Sequence, residues 1–451
     1  MNPLKQKLFL NNRHKHFHLP FENAYQSLNH IKMASVKQQW PDTTIKNTEQ
    51  ELAQTLSALT IPEPDIKETV GIAVGSRGID HLQVVVKQCI TFLKDKGYDP
   101  FIIPAMGSHG GATPEGQRHV LKTFGITEET MKVPILADMA TLQIGEYPPN
   151  IPVHFSQTAN HADHIVVINR IKSHTKFHAP LESGLCKMLC IGLGKAAGAS
   201  EYHLKAVSHG FSWIESIAQM IIQKHSVLFG LALIENQYGQ LAHIEAISGS
   251  EIPDREKQLL VKAKQLMPSI PFDGLDVLII DEIGKNISGI GMDSNITGRH
   301  RDIIGDFFDW PHVKRIFVRG LSSHTNGNAN GIGLADVVTS QCVESIDFEK
   351  TYMNALTALS PEKATIPLFF DTDKDCLAVC LHTIGLKQAT SIRMVWIQNT
   401  AQLNQFMISE GLKNELYDKK FLSRTSDWET IKFDETNKLI EFYPFNTSII
   451  E

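Results

Sequence analysis

From residue 68 onward, short apolar runs alternate along the chain with segments of helical periodicity. The run at 70–74 (VGIAV) precedes a turn and an apolar-periodic segment at 81–96, and the run at 100–106 precedes a helical segment at 117–124. Further strand-like runs follow at 164–169 (HIVVIN) and 227–234 (VLFGLALI). Such alternation predicts an α/β fold with mainly parallel or mixed sheets and flanking helices.

The length of 451 residues indicates two domains. Residues 1–66 read as an N-terminal arm packing on the first domain, which we expect at 67–270. A Pro/Gly-rich connection (MPSIPFDGLD) leads to the second domain, which we expect at 271–451. A second possibility is that the last residues of the chain return to the first domain. Its long polar loops at 281–299 and 322–336 are typical of binding loops, so we expect the site in the interdomain cleft.

The composition limits the classes of partner. A net charge of −6 and a pI near 6.4 give no general attraction to nucleic acid or to an anionic membrane, so we expect a small-molecule partner. No apolar run is long enough for a membrane span, and the N-terminus lacks a continuous apolar leader, so we expect a cytoplasmic protein. The six cysteines are expected to be buried, reduced thiols.

Three side chains follow predicted strands directly: Arg77, His109 and His174. Because ligands bind outside the carboxyl ends of strands in open α/β sheets, we expect these three residues to converge on one edge. Thr113 and Pro114 have the form of a helix start, with Thr as the cap. A nearby helix N-terminus disfavours a cationic imidazole, which favours His109 as a neutral base.

The segment 171–203 carries the other candidate residues. Lys187 lies in an otherwise apolar run (LCKMLCIGL) after Glu182, and desolvation there favours a neutral, nucleophilic amine. The alternative is a lysine that pairs with Glu182 or extends into solvent. His203, together with His174 and His178, is a candidate metal-binding group.

At these residues the sequence resembles the lactate racemase family, whose members use nickel and a nickel-pincer nucleotide, a pyridinium-3,5-bisthiocarboxylate mononucleotide. Lys187 and His203, sixteen residues apart, match the family's cofactor-bearing lysine and nickel ligand. The resemblance implies acid/base roles for His109 and His174, with His178 as the rival of His174. It also implies cofactor contacts from Arg77, here in the turn Ser-Arg-Gly, and from Ser183 and Gly184.

The resemblance implies an isomerase: a racemase or epimerase of a 2-hydroxy acid, not necessarily lactate, that depends on cofactor biosynthesis proteins. The α-hydrogen of such an acid is too weakly acidic for removal as a proton by histidine. The family's mechanism is reversible hydride transfer to the cofactor, while two histidines handle the hydroxyl proton. Arg77 is suited to gripping the substrate carboxylate, and we infer a second substrate contact from Lys285.

Two alternative functions remain open. A zinc- or iron-dependent hydro-lyase or hydrolase would use His109, His174 and His203 as metal ligands with an open position for water. A non-catalytic small-molecule binding protein would use the same polar loops for binding alone. The first alternative predicts a three-ligand metal site, and the second predicts binding without turnover.

Overall fold

Strands and helices alternate along most of the chain, as the apolar runs predict. The structure is a computed structural model that describes residues 19–64, 66–147, 150–209, 213–301, 310–385 and 387–440. The chain divides at residue 267/268 into two units. Unit N contains residues 42–267, and unit C contains the described residues of 19–41 and 268–440. Within the described ranges, every helix is too short or too polar to cross a bilayer.

The strands of the described residues are, in chain order, β1 (Lys32–Gln38), β2 (Thr69–Val74), β3 (Asp99–Pro104), β4 (Thr141–Tyr147), β5 (Ile151–Ser156), β6 (His164–Arg170), β7 (Val227–Glu235), β8 (Leu241–Ser248), β9 (Leu275–Ile283), β10 (Val313–Leu321), β11 (Val337–Thr339), β12 (Leu368–Phe370), β13 (Met394–Ile397), β14 (Gln405–Ser409), β15 (Leu422–Arg424) and β16 (Glu429–Thr430).

The α-helices of the same residues are α1 (Glu22–Leu28), α2 (Thr48–Ser57), α3 (Leu82–Asp95), α4 (Pro114–Thr123), α5 (Glu128–Met131), α6 (Gln157–His161), α7 (Leu185–Lys187), α8 (Lys195–His209), α9 (Ile214–Lys224), α10 (Ile252–Gln265), α11 (Ser294–Thr297), α12 (Ser340–Glu344), α13 (Phe348–Thr357), α14 (Asp373–Thr383) and α15 (Lys413–Asp418).

Unit N is built on a five-stranded sheet with the order β3-β2-β6-β7-β8. The first four strands are parallel, and β8 returns antiparallel to β7. Alternate residues of β2 face different hydrophobic clusters: Ala73 belongs to one cluster, whereas Ile72 and Val74 belong to the other. The sheet is therefore buried on both faces, which explains why its strands read as continuous apolar runs.

Unit C is built on a mixed sheet with the order β12-β11-β10-β9-β13-β14-β1-β15, in which β16 also pairs with β1. Strands β9 to β13 of this sheet are parallel, and β14 and β1 are antiparallel to their neighbours. Both units are thus mixed α/β structures with helices packed on their sheets, as the sequence predicts.

The prediction that residues 1–66 form one arm on the first domain is wrong for the described residues 19–41. Strand β1 pairs antiparallel with β14 and adds itself to the sheet of unit C. Met33, Ala34 and Val36 are fully buried there, and such burial is worth about 1.5–3 kcal/mol for a large aliphatic side chain. Only the later part, including α2, belongs to unit N. Residues 1–18 and the last residues, 441–451, lie outside the described structure.

Candidate functional site

Two predicted strand-end loops meet at the carboxyl edge of the unit N sheet. Strands β2 and β3 are parallel neighbours, so the loops that follow Val74 and Pro104 leave the sheet on the same side. The hydroxyl of Ser76, in the first loop, is hydrogen-bonded to Nδ1 of His109, in the second loop. This contact fixes the orientation of an imidazole whose ring is exposed to solvent.

The buried side-chain amide of Gln117 holds the backbone of the loop that carries His109. Nε2 of Gln117, which is fully buried on α4, donates to the carbonyl oxygens of Gly107 at 3.0 Å and His109 at 3.3 Å. The Thr113 hydroxyl caps α4 by accepting from the Gly116 amide at 3.0 Å, as the sequence predicts. The helix start therefore sets the position of the histidine that precedes it.

The loop after β6 folds back onto the segment that carries the lysine. Asn169 donates from Nδ2 to the carbonyl oxygen of Gly184 at 2.8 Å. The backbones of Lys172 and Ser183 pair reciprocally, with N to O distances of 2.9 and 3.2 Å. These bonds place the start of α7 beside the carboxyl end of β6, so Lys187 belongs to the same sheet edge.

Lys187 is half-buried at the end of α7, where the chain continues into a π-helical turn at Met188–Gly192. Its Nζ donates to the Ser183 hydroxyl at 3.5 Å. Desolvation and the positive charge of Arg77, partly opposed by the carboxylate of Glu182, lower the pKa of Lys187 to about 8. A neutral, nucleophilic Lys187 stays a prediction, and the lowered pKa supports it.

Arg77 gives the same edge a second positive charge and has an exposed side chain. Although part of the side chain is in contact with solvent, desolvation by neighbouring protein atoms and the charge of Arg170 lower the pKa of Arg77. The guanidinium of Arg170 is itself neutralised by an ion pair with Glu235. The charge of Arg77 disfavours the ammonium form of Lys187, and an anionic ligand at this edge would offset both positive charges.

Glu182 pairs with Lys264 rather than with Lys187. Lys264, on α10, donates to Oε1 of Glu182 at 2.6 Å, and the His174 amide donates to Oε2 at 2.6 Å. His178 Nδ1 lies 3.4 Å from the same Oε1. The carboxylate thus anchors the loop that carries both His174 and His178.

A second buried carboxylate lies at the start of α7. Glu256, on α10, accepts from the Cys186 amide at 2.8 Å and is 1% exposed. Desolvation raises the pKa of Glu256 to about 7, against the opposing hydrogen bonds from the Cys186 amide and thiol. A side chain at position 184 would overlap the Glu256 carboxylate, so this position requires glycine.

A buried lysine connects the histidine loop to the lysine segment. Lys195, the first residue of α8, donates from Nζ to the Pro104 carbonyl oxygen at 2.7 Å. The Gly107 amide also donates to the carbonyl oxygen of Gly192, at 3.2 Å. The glycine-rich run around Lys195 therefore joins the two loops through hydrogen bonds.

His203, the predicted nickel ligand, is half-buried on α8. Its ring lies 5.9 Å from that of Tyr202, which stacks on Trp213 with a centroid distance of 4.9 Å. His203 follows Lys187 in the chain through the π-helical turn and the first two turns of α8. Its role as a ligand stays a prediction.

Lys285, the inferred substrate contact, lies in unit C after β9. Its Nζ donates to Oδ1 of Asn354 at 2.8 Å, and its amide donates to the Thr325 hydroxyl at 3.0 Å. The other predicted site residues all lie in unit N. A substrate-binding role for Lys285 stays a prediction.

The three-ligand metal site required by a zinc or iron hydro-lyase is not found among the described residues. No group of three His, Cys, Asp or Glu side chains in these ranges is arranged to hold a metal ion. The cysteines, including Cys186 and Cys190, are free buried thiols as expected. His109, His174 and His203 are therefore not assembled as a common metal site in this structure.

Three supporting residues were missed by the sequence interpretation as parts of the site: Glu256, Lys195 and Lys264. The local sequence gave an indication that Lys195 is buried, because a lysine between glycine and alanine has little polar surface nearby. Glu256 and Lys264 lie on α10, about 70 residues after the segment that they support. Nothing in the local sequence relates them to that segment.

No family model matches the chain, and no curated protein matches it in sequence. Among solved structures, a protein from Thermotoga maritima is similar, with 16% identity and a TM-score of 0.46 over 74% of this chain and 82% of that one. The lactate racemase apoprotein from Thermoanaerobacterium thermosaccharolyticum is also similar, with 14% identity and a TM-score of 0.40 over 82% of this chain and 88% of that one.

Proposed function

We propose that the chain is a racemase or epimerase of a 2-hydroxy acid that works with a nickel-pincer nucleotide. The observation that carries the proposal is the meeting of the Ser76–His109 contact and the segment that carries Lys187 at one edge of the unit N sheet. The spacing of Lys187 and His203 and the placement of His109 and His174 after strands support it from the sequence.

Imidazole suits nickel, so His203 on α8 would hold the metal as a single protein ligand. The lowered pKa of Lys187 leaves about half of its amine neutral at pH 8, against about 0.3% for an ordinary lysine of pKa 10.5. Lys187 is thus suited to covalent attachment of the cofactor. When bound, the cofactor supplies a hydride acceptor for the α-hydrogen of the substrate.

The chain's own residues would bind the substrate and move its hydroxyl proton. Arg77 would bind the substrate carboxylate through two parallel hydrogen bonds. The negative charge of the carboxylate would also reduce the repulsion between Arg77 and Lys187. His109, oriented by Ser76, would exchange the hydroxyl proton from one loop. A histidine of the loop after β6 would exchange the same proton from a second position. Each enantiomer of the substrate would then have its own acid/base group.

The test is intact-mass and metal analysis of the protein co-expressed with the pincer-cofactor biosynthetic proteins. Nickel and a nucleotide-sized adduct are expected, and both the adduct and epimerisation of a panel of 2-hydroxy acids should be lost in Lys187→Ala. Lys122→Ala is the matched lysine control for attachment, because Lys122 is exposed on α4. Zinc or iron without an adduct, or hydroxy-acid binding without turnover, would overturn the proposal.

A further inference from the structure

Glu182 is a buried carboxylate with four nitrogen atoms within hydrogen-bonding distance. Its side chain is 0% exposed. Its two oxygens accept from the His174 amide at 2.6 Å, the Ala179 amide at 3.3 Å and Nζ of Lys264 at 2.6 Å, and Nδ1 of His178 lies 3.4 Å from one of them. Burial acts to raise the pKa of Glu182, but the hydrogen bonds from His178, Lys264 and the His174 amide hold it below its usual value.

The contact with Glu182 determines the position of a proton on His178. An ionised carboxylate can only accept a hydrogen bond, so Nδ1 of His178 must be the donor. A neutral imidazole that carries its hydrogen on Nδ1 has its lone pair on Nε2. His178 therefore carries its proton-accepting lone pair on Nε2.

The backbone determines the opposite arrangement for His174. The amide of Lys176 can only donate, and it lies 3.1 Å from Nδ1 of His174. Nδ1 of His174 must therefore accept, which leaves the hydrogen of the neutral ring on Nε2. The ring also packs against Phe177 with a centroid distance of 4.4 Å, which keeps it in this orientation.

We propose that Glu182 is a positioning residue that holds His178 in the tautomer that accepts a proton at Nε2, beside His174, which the Lys176 amide holds in the opposite, proton-donating tautomer. The assignment of roles rests on the proposed function. In the proton transfer, the O–H bond of the substrate hydroxyl breaks and a new N–H bond forms at Nε2 of His178. His174, already protonated at Nε2, donates a hydrogen bond instead. His178 thus takes the base role for which the sequence favoured His174.

The tautomers can be read directly by long-range ¹H–¹⁵N NMR of protein labelled with ¹⁵N-histidine, without substrate or cofactor. His174→Asn and His178→Asn assign the two rings. In the unmodified chain, His178 is expected as the Nδ1–H tautomer and His174 as the Nε2–H tautomer. Glu182→Gln replaces the ionised acceptor by a neutral amide of nearly the same shape, so His178 should shift toward the Nε2–H form.

Lys262→Met is the matched control, because Lys262 is exposed on the same helix as Lys264 and its replacement leaves Glu182 and Lys264 in place. Both tautomers should persist in it. A His178 ring with its hydrogen on Nε2 in the unmodified chain overturns the proposal, even if Glu182→Gln does not fold. Unchanged His178 signals in folded Glu182→Gln also overturn it. Because these spectra need no turnover, a chain with the expected tautomers but no epimerase activity contradicts only the proposed function.

Discussion

Glu256 occupies the space in which a side chain at Gly184 would begin. The carboxylate accepts the Cys186 amide at the first turn of α7, so it stabilises the start of the segment that ends in Lys187. The backbone φ of Gly184 is −178°, an extended conformation that any residue can adopt. The requirement for glycine therefore comes from the neighbouring carboxylate and not from the backbone.

Gly184→Ala should destabilise unit N by about 1–3 kcal/mol, because the new methyl group must displace a buried carboxylate. The urea-unfolding midpoint measures the loss. In a Glu256→Ala chain the space beside residue 184 is open. The loss of unfolding free energy caused by Gly184→Ala should therefore be smaller there than in the unmodified chain, by about 0.5–3 kcal/mol. Equal costs in the two backgrounds would show that the methyl group does not meet Glu256.

Glu256→Gln should change how stability depends on pH. The pKa of Glu256 is about 7 in the folded chain and ordinarily 4.5, so the folded state binds the extra proton. The contribution of this group is fully present below about pH 4.5 and is lost as pH rises through about 7. The difference between the two pKa values of Glu256 corresponds to about 3 kcal/mol of unfolding free energy. The loss of stability between pH 5 and pH 8 should therefore be smaller by about that amount in the variant.

The measurement for Glu256→Gln is urea unfolding at several pH values, followed by intrinsic fluorescence. Glu251→Gln is the control, because Glu251 is exposed on the turn that precedes the same helix. It should keep the pH dependence of the unmodified chain. A Glu256→Gln curve parallel to that of the unmodified chain would contradict the raised pKa.

The sequence predicted the fold class and the strands of unit N because their apolar runs are buried on both faces of one sheet. It did not predict the return of β1 to unit C. The pairing of Met33 with Ser409 joins residues that are far apart in the chain, and no local pattern specifies such a partner. Local periodicity identifies a strand, whereas the choice of sheet depends on contacts across the whole chain.

The candidate site was predictable to the extent that its residues follow strands. His109 and Arg77 are in this class, because parallel strands bring their loops to one edge. The roles of Glu182 and Lys264 were not predictable, since their pairing depends on how α10 packs. The sequence instead offered Glu182 as a partner for Lys187, its nearest lysine in the following segment.

Arg77→Met should raise the pKa of Lys187 from about 8 toward its ordinary value of 10.5, because it removes a positive charge that disfavours the ammonium form. Desolvation, which lowers the pKa of Lys187 more than Arg77 does, remains in the variant. The pKa should therefore rise only part of the way to 10.5. The rate of Lys187 acylation as a function of pH, followed by peptide mass spectrometry, measures the pKa. Arg77→Lys keeps the charge and should leave the profile near that of the unmodified chain. Identical profiles for all three proteins would refute the electrostatic coupling.

Ser76→Ala tests the orientation of His109. The Ser76 hydroxyl is hydrogen-bonded to Nδ1 of His109, and its removal leaves the exposed ring without that restraint. If His109 exchanges the hydroxyl proton of the substrate, kcat should fall about tenfold, which corresponds to ~1.4 kcal/mol. KM should change little, because Ser76 is assigned no contact with the substrate carboxylate.

Ser76→Thr retains a hydroxyl and should restore most of kcat, whereas Ser108→Ala, a neighbouring serine on the His109 loop, should leave it unchanged. These variants separate the hydrogen bond from a general effect on the loop. Steady-state epimerisation with the fully loaded enzyme, measured in both directions, gives kcat and KM for each variant. A Ser76→Ala enzyme with unchanged kcat in both directions would mean that His109 is not oriented for catalysis by this hydroxyl. A rise in KM alone would instead place Ser76 in substrate binding.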